Sequence, residues 1–300
     1  MSGFYRVAQG MRLSSLGIGT YIGDAGDAVD RDYEAALTAA IDGGINVIDT
    51  SRNYRRQRSE KVIGRTIAGR AREQLILCTK TGYRIDGAGH TLDPEFLDES
   101  LHASLANLGV ERLDIFYLQN PEEQPDLMSQ LQRVFETCEL FVSRGLIRFY
   151  GVATWSGFRA KGNPMQLHSL AGAARTVAGH GHRFRFVQVP YNLSMHEAFS
   201  LRNQSGGTSL LQAAGECGVT VIGSATVLQG RLTKDLPPQL ASKFPGLTTD
   251  AQRAIQFSRS TPGITVSVVG TTNVAHVEEN LALKQVAPLS EADYYAIYGK

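Results

Sequence analysis

Apolar residues gather into eight short runs along the chain: LGIG (16–19), NVIDT (46–50), LILCTK (75–80), LDIFYLQ (113–119), IRFYGVAT (147–154), FVQVPYN (186–192), VTVIGSA (219–225) and TVSVVG (265–270). Each is rich in β-branched and aromatic residues, and its apolar character is nearly continuous rather than alternating. Strands covered on both faces read this way, as in a parallel sheet flanked by helices. The stretches between them carry helical periodicity. They are 32–44, closed by the pair Gly43-Gly44; 59–69, with Ser59 as N-cap; 93–109, with Asp93 as N-cap, Pro94 in the first turn and Gly109 as the stop; 126–145; 210–218; 249–260; and 274–283.

Strand and helix therefore alternate at a similar interval to the end of the chain. Two architectures accommodate that order: a closed (β/α)8 TIM barrel and an open doubly wound sheet. The latter is expected to open with a glycine-rich strand-to-helix turn. The GIGT at 17–20 lacks a third glycine at the required spacing, and no helix starts there. The reading is α/β, a (β/α)8 TIM barrel formed as one domain over residues 1–300. The segment FYRVAQGMRLSSL (4–16) holds a glycine between two short runs and predicts an N-terminal β-hairpin closing the bottom of the barrel.

Composition narrows the function classes. With 30 basic and 29 acidic residues the formal charge is +1, which gives no footprint for nucleic acid or an anionic membrane surface. The arginines at 52, 55, 56 and 58 read as a solvated loop. Three cysteines, Cys78, Cys138 and Cys217, are too few for a disulfide scaffold and match no metal-ligand spacing; Cys78 reads as a packed thiol. The N-terminus has no apolar signal-peptide core, and no run approaches ~18 apolar residues. A cytoplasmic protein acting on a small molecule, with neither nucleic acid nor membrane as partner, is the expectation. The sequence does not disclose an oligomeric state.

In a barrel of this kind, chemistry sits at the C-terminal ends of the strands. The polar residues falling there are Thr20, Asp49, Lys80, Gln119, Thr154, Gln188 with Asn192, Ser224, and Thr271 after Gly270. A lysine ending a buried strand needs compensation, and Asp49 on the neighbouring strand supplies it. Those two residues alone are a structural ion pair. Tyr54, five residues after Asp49, adds a phenol whose pKa a nearby ammonium lowers. Asp, Tyr and Lys at strand ends protonate a carbonyl oxygen.

The segments NVIDTSRNYRRQRSEKVIG (46–64), CTKTG (78–82), YLQNP (117–121), GVATW (151–155), VQVPYN (187–192), GSATVLQGRL (223–232) and VVGTTNVAHVEENL (268–281) resemble, in order, the aldo-keto reductases. The resemblance implies an eight-stranded barrel that holds NADP(H), with NAD(H) as the alternative, across the strand ends. It implies a catalytic tetrad of Asp49, Tyr54, Lys80 and Gln119, in which Tyr54 is the proton donor, Lys80 tunes it and Asp49 holds Lys80. It implies cofactor contacts from Gly19, Thr20, Asp49, Thr154, Gln188, Ser224, Ala225, Gln229, Gly230, Gly270, Thr271, Thr272, Asn273, Glu279 and Asn280. The final stretch GTTNVAHVEEN (270–280) would supply the loop and helix start around the adenosine phosphate, with Glu279 and Asn280 reaching the adenine, and no metal is implied. Tyr21, Tyr83 and Trp155 follow strand ends and are candidates for the substrate wall.

Several positions depart from the family pattern. Gln119 stands where the family has histidine; it keeps an N–H donor but does not titrate. Ala153-Thr154 replaces Ser-Asn, and Ser224 replaces a tyrosine that stacks on the nicotinamide. The final loop offers Thr271, Thr272, Asn273 and His276 rather than an arginine or lysine to a 2′-phosphate. Carbonyl reduction by hydride transfer is the leading reading. A barrel repurposed for a non-redox isomerisation, cyclisation or dehydration, and a cofactor-binding regulatory subunit, stand as alternatives.

Overall fold

A computed structural model describes residues 3–297 apart from 86, 88 and 161–164. Ten strands are present among the described residues: β1 (Tyr5–Ala8), β2 (Met11–Ser14), β3 (Leu16–Gly19), β4 (Val47–Asp49), β5 (Ile76–Thr81), β6 (Leu113–Gln119), β7 (Ile147–Ala153), β8 (Phe184–Pro190), β9 (Thr220–Ser224) and β10 (Ile264–Gly270). Strands β3 to β10 pair in parallel with their sequence neighbours, and β10 returns to β3, closing the barrel. The helices are α1 (Asp27–Asp42), α2 (Arg58–Ile67), α3 (Pro94–Leu108), α4 (Leu127–Ser143), α5 (Leu167–Ala178), α6 (Glu197–Ser200), α7 (Leu210–Cys217), α8 (Gln239–Lys243), α9 (Asp250–Ser260), α10 (Val274–Leu281) and α11 (Glu291–Ile297). None of them is long and apolar enough to cross a membrane.

Alternation along each strand divides the core in two. On β6, Phe116 and Leu118 pack outward under the helices, while Ile115 and Tyr117 face the barrel axis. The inner set comprises side chains such as Val47, Ile76, Cys78, Phe149, Phe186, Ile222, Val266 and Val268. Met11 and Leu13 from the β1–β2 hairpin join that inner set and plug the bottom. The hairpin thus does what the sequence suggested. With its bottom filled, the barrel opens where the strands end.

Several local expectations are corrected. α1 begins at Asp27, not 32, because Asp30 is drawn in as the buried partner of Arg55 and Arg58. Ser59 is not a cap: α2 starts at Arg58, and the Ser59 hydroxyl donates to the Thr20 carbonyl at 2.7 Å. Asp93 stands at the N-cap of α3 without capping through its side chain. α5 was not foreseen. The arginine cluster is not a solvated loop. The Arg55 side chain is only 1% exposed and donates to Asp30 at 2.5 Å, and Arg52 is buried against Ser100 and Glu99.

Candidate active site

The same in–out parity that fills the barrel carries one residue of each strand into its mouth. Continuing the inward set upward by two residues reaches Gly19, Asp49, Lys80, Gln119, Ala153, Gln188, Ser224 and Gly270. All eight line one cavity of about 470 Å³. In barrel order they form two arcs. Asp49, Lys80 and Gln119, on consecutive strands, make a polar arc; Ser224, Gly270 and Gly19 make an arc of small residues. Gly19 and Gly270 are paired in register, so bare backbone floors that side. A Cβ at Gly19 would come within 3.0 Å of Val268, so this floor admits no side chain without displacing its neighbour.

Within the polar arc the groups are tightly coupled. The Lys80 ammonium donates to Asp49 Oδ2 and to the Thr50 carbonyl, each at 2.7 Å. Gln188 Nε2 donates to Asp49 Oδ1 at 2.7 Å. Asp49 is thereby held from both oxygens. Burial alone would depress the Lys80 pKa, but the Asp49 carboxylate and Tyr54 carry it above the usual lysine value. Lys80 is therefore charged at neutral pH.

Tyr54 enters from a turn rather than a strand. Its ring centroid is 5.2 Å from Lys80 Nζ and 5.1 Å from the ring of Tyr21, edge to face. The three residues after it, Arg55, Arg56 and Gln57, all have positive φ (48°, 54° and 70°). Three consecutive non-glycine residues in the left-handed region are strained by ~1–2 kcal/mol each. Arg55 holds the turn by donating to the carbonyls of Asp24 and Gly26 as well as to Asp30. The sequence expectation for Tyr54 is corrected in one respect. Burial raises its pKa, and the opposing Lys80 charge does not overcome that, so the net shift is upward. Tyr54 is a neutral phenol poised beside a cation.

Gln119 accepts from the Ser51 hydroxyl through Oε1 at 2.8 Å. Its backbone carbonyl lies 2.6 Å from His90 Nε2. Thr154 is engaged by protein: its hydroxyl donates to Glu122 Oε1 and accepts from the Gly157 amide at 2.8 Å. Glu122 Oε1 also takes the amides of Ser156 and Gly157, at 3.1 and 2.9 Å. That carboxylate organises the loop carrying Trp155, whose own amide donates to Asn120 Oδ1 at 2.9 Å. Tyr21 and Trp155 are 57% and 48% exposed and stand at the rim with Tyr83. The Tyr83 hydroxyl bonds Glu123 and Asn120, and burial with the nearby carboxylate pushes its pKa up to about 12.

Thr20, Tyr21, Tyr54, Tyr83, Thr154, Trp155, Ala225 and Gln229 also line the cavity. Gly230, Thr271, Thr272, Asn273, Glu279 and Asn280 do not. Asn273 caps α10 by accepting from the Ala275 amide, Glu279 takes the Thr249 hydroxyl, and Thr271 and Asn280 are buried behind β3 and β10. Sequence reasoning missed Ser51, Asn53, Asn120 and Glu122 at or behind the wall, and also the lining residues Ile22, Thr226 and Val227. The Asn120-Pro121 pair closing β6 is a turn signal that would have found the third. Nothing in the sequence marks the others. Among the described residues no cluster of three or more His, Cys, Asp or Glu is arranged to hold a metal ion.

Solved structures of known proteins share this fold. An aldo-keto reductase from Bacillus halodurans in its holo form matches with a TM-score of 0.76 and 18% identity, covering 98% of this chain and 95% of that one. An aldo/keto reductase from Klebsiella pneumoniae in complex with NADP and acetate matches with a TM-score of 0.74 and 22% identity, over 99% and 94%. The glycerol dehydrogenase of Gluconobacter oxydans matches with a TM-score of 0.78 and 19% identity, over 100% and 95%. At these identities the matches establish the fold. The sequence model "Aldo/keto reductase family" matches residues 15–300. The chain belongs to the aldo/keto reductase family.

Proposed function

We propose that the protein is an NADP(H)-dependent oxidoreductase that transfers a hydride to an aldehyde or ketone, or to a related C=C or C=N bond, with Tyr54 as proton donor. NAD(H) is the alternative cofactor. The observation that carries this reading is the buried Asp49–Lys80 pair, 2.7 Å apart, with the Tyr54 ring beside it at the wall of an eight-strand mouth.

The residues fit a nicotinamide. Gln188 commits one N–H to Asp49, which leaves its other N–H and its carbonyl oxygen to meet a carboxamide. The small arc of Ser224, Gly270 and Gly19 leaves room for a flat ring. Two related structures, both from Klebsiella pneumoniae, are complexes with NADP and NADPH. Thr20, Ala225 and Gln229 would continue the site along the rim, with Thr271, Thr272, Asn273 and Asn280 towards the adenosine end. Thr154 is left out of this role because Glu122 already holds its hydroxyl. Bound there, the cofactor supplies the hydride.

The remaining work falls to the chain. Tyr54 is neutral because burial keeps it so, and its O–H is the proton a developing alkoxide needs. Lys80 lowers the cost of the phenolate left behind, and Asp49 keeps Lys80 charged. Gln119 is a second donor to the carbonyl oxygen; it polarises without relaying a proton. Tyr21, Tyr83 and Trp155 form an aromatic rim suited to an uncharged substrate. Tyr54→Phe tests the assignment. Turnover of model aldehydes should fall by ~10²–10⁴-fold while NADPH affinity, read by fluorescence titration, stays near wild type. Undiminished turnover would remove Tyr54 from the role.

A further inference from the structure

Ser51 Oγ lies 2.7 Å from Asn53 Oδ1, 2.8 Å from Gln119 Oε1 and 3.3 Å from the Lys80 carbonyl. A serine hydroxyl carries one proton. It satisfies one of the two short contacts, and the other would set two oxygens against each other with nothing between them. An amide exchanges its oxygen and nitrogen by a half-turn with almost no change in shape. One of the two amides therefore turns its nitrogen to Ser51, and two chains of hydrogen bonds are open. In the first, Asn53 donates to Ser51 and Ser51 donates to Gln119 Oε1, so Gln119 shows its N–H to the cavity. In the second, Gln119 donates to Ser51 and Ser51 donates to Asn53, so Gln119 shows its carbonyl.

The neighbours decide between them. Lys80 already donates to Asp49 and Thr50 and lies against Tyr54. One of the two Gln188 N–H groups is taken by Asp49, the rest of that amide is assigned to the carboxamide, and the Asp49 carboxylate only accepts. Besides the Tyr54 hydroxyl, the polar arc then holds no donor for a carbonyl oxygen unless Gln119 supplies it. We infer that Ser51 is a positioning residue that turns the Gln119 amide so that its N–H faces the substrate oxygen, with Asn53 behind it setting the direction of the chain. The direction rests on the carbonyl-reduction reading. The Ser51–Gln119 link rests on the 2.8 Å contact and on proton counting, independently of that reading. Ser51 is 1% exposed, so its hydroxyl is shielded from bulk water.

Ser51→Ala tests both parts. With a model aldehyde and saturating NADPH, kcat should fall roughly 3- to 10-fold, the scale of one neutral hydrogen bond, with NADPH affinity unchanged. In a Gln119→Ala background, Ser51→Ala should have no further effect. If the chain ran the other way, Ser51→Ala would free the Gln119 N–H, so an unchanged or raised kcat overturns the inference, as does the same loss in both backgrounds. A second readout needs no turnover. The side-chain 15N–1H2 pair of Gln119, identified by its disappearance in Gln119→Ala, should move in Ser51→Ala. A pair that does not move breaks the link. A wild-type protein that consumes no NADPH with any carbonyl compound refutes the proposed function, and the NMR result then still decides whether Ser51 holds Gln119.

Discussion

Lys80→Met removes one charge from the middle of the site and keeps the length and most of the volume of the side chain. Lys80 is 2% exposed and Asp49 5%, so neither charge is screened by water. Breaking a buried pair by deleting one partner costs ~3–5 kcal/mol, mostly for the charge left behind. Asp49 retains its bond from Gln188 at 2.7 Å, which offsets ~1 kcal/mol, so the expected loss is ~2–4 kcal/mol. On a chain of 300 residues that lowers Tm by roughly 3–6 °C. Urea and thermal unfolding at neutral pH read it directly. The companion variant Asp49→Asn/Lys80→Met removes the orphaned charge and should regain most of the loss, although it too is inactive. The deficit of the single variant should shrink in acid. A carboxylate left buried has a raised folded-state pKa, and its penalty disappears as pH falls through that value. A single variant within ~0.5 kcal/mol of wild type, or a double variant no more stable than the single, would refute the reasoning.

Two other expectations concern the plug and the proton donor. Leu13 is fully buried inside the barrel at its closed end, so Leu13→Ala should cost ~2–5 kcal/mol in urea unfolding while NADPH affinity, set at the opposite end, is unaffected; a matching loss of affinity would contradict the separation of plug and site. Because the net shift of Tyr54 is upward, the acid form persists through neutral pH and is lost only as pH rises through a value above ~10, the ordinary tyrosine range. The kcat–pH profile for aldehyde reduction should therefore show no alkaline fall below that range, and a limb centred near neutrality would assign the proton to another group.

Much of the barrel was legible because burial on two faces leaves near-continuous apolar runs, and β3 and β6 have the bounds those runs suggested. Asp49, Lys80 and Gln188 were legible for a related reason: a polar residue closing a buried strand must have a partner there. What escaped notice was tertiary. Helix α5, LHSLAGAARTVA, starts after Gln166, which makes no capping bond, and its Ala and Gly residues blur the periodicity. The left-handed turn after Tyr54 uses Arg55, Arg56 and Gln57 where a glycine would have announced it; Arg55's buried bonds, not local preference, hold it. The raised Tyr54 pKa depends on how deeply the phenol is enclosed, which spacing to a lysine does not reveal. Thr154 looked free for a cofactor until Glu122, from the neighbouring loop, was seen to hold it.

The most direct test of the central claim is to mix the purified protein with NADPH and a panel of uncharged aldehydes and follow the loss of nicotinamide absorbance against the alcohol formed. The account predicts one alcohol per NADPH consumed, with consumption lost in Tyr54→Phe while the variant still binds NADPH. Tight NADPH binding with no oxidation by any aldehyde or ketone, in wild type as in the variant, would contradict it.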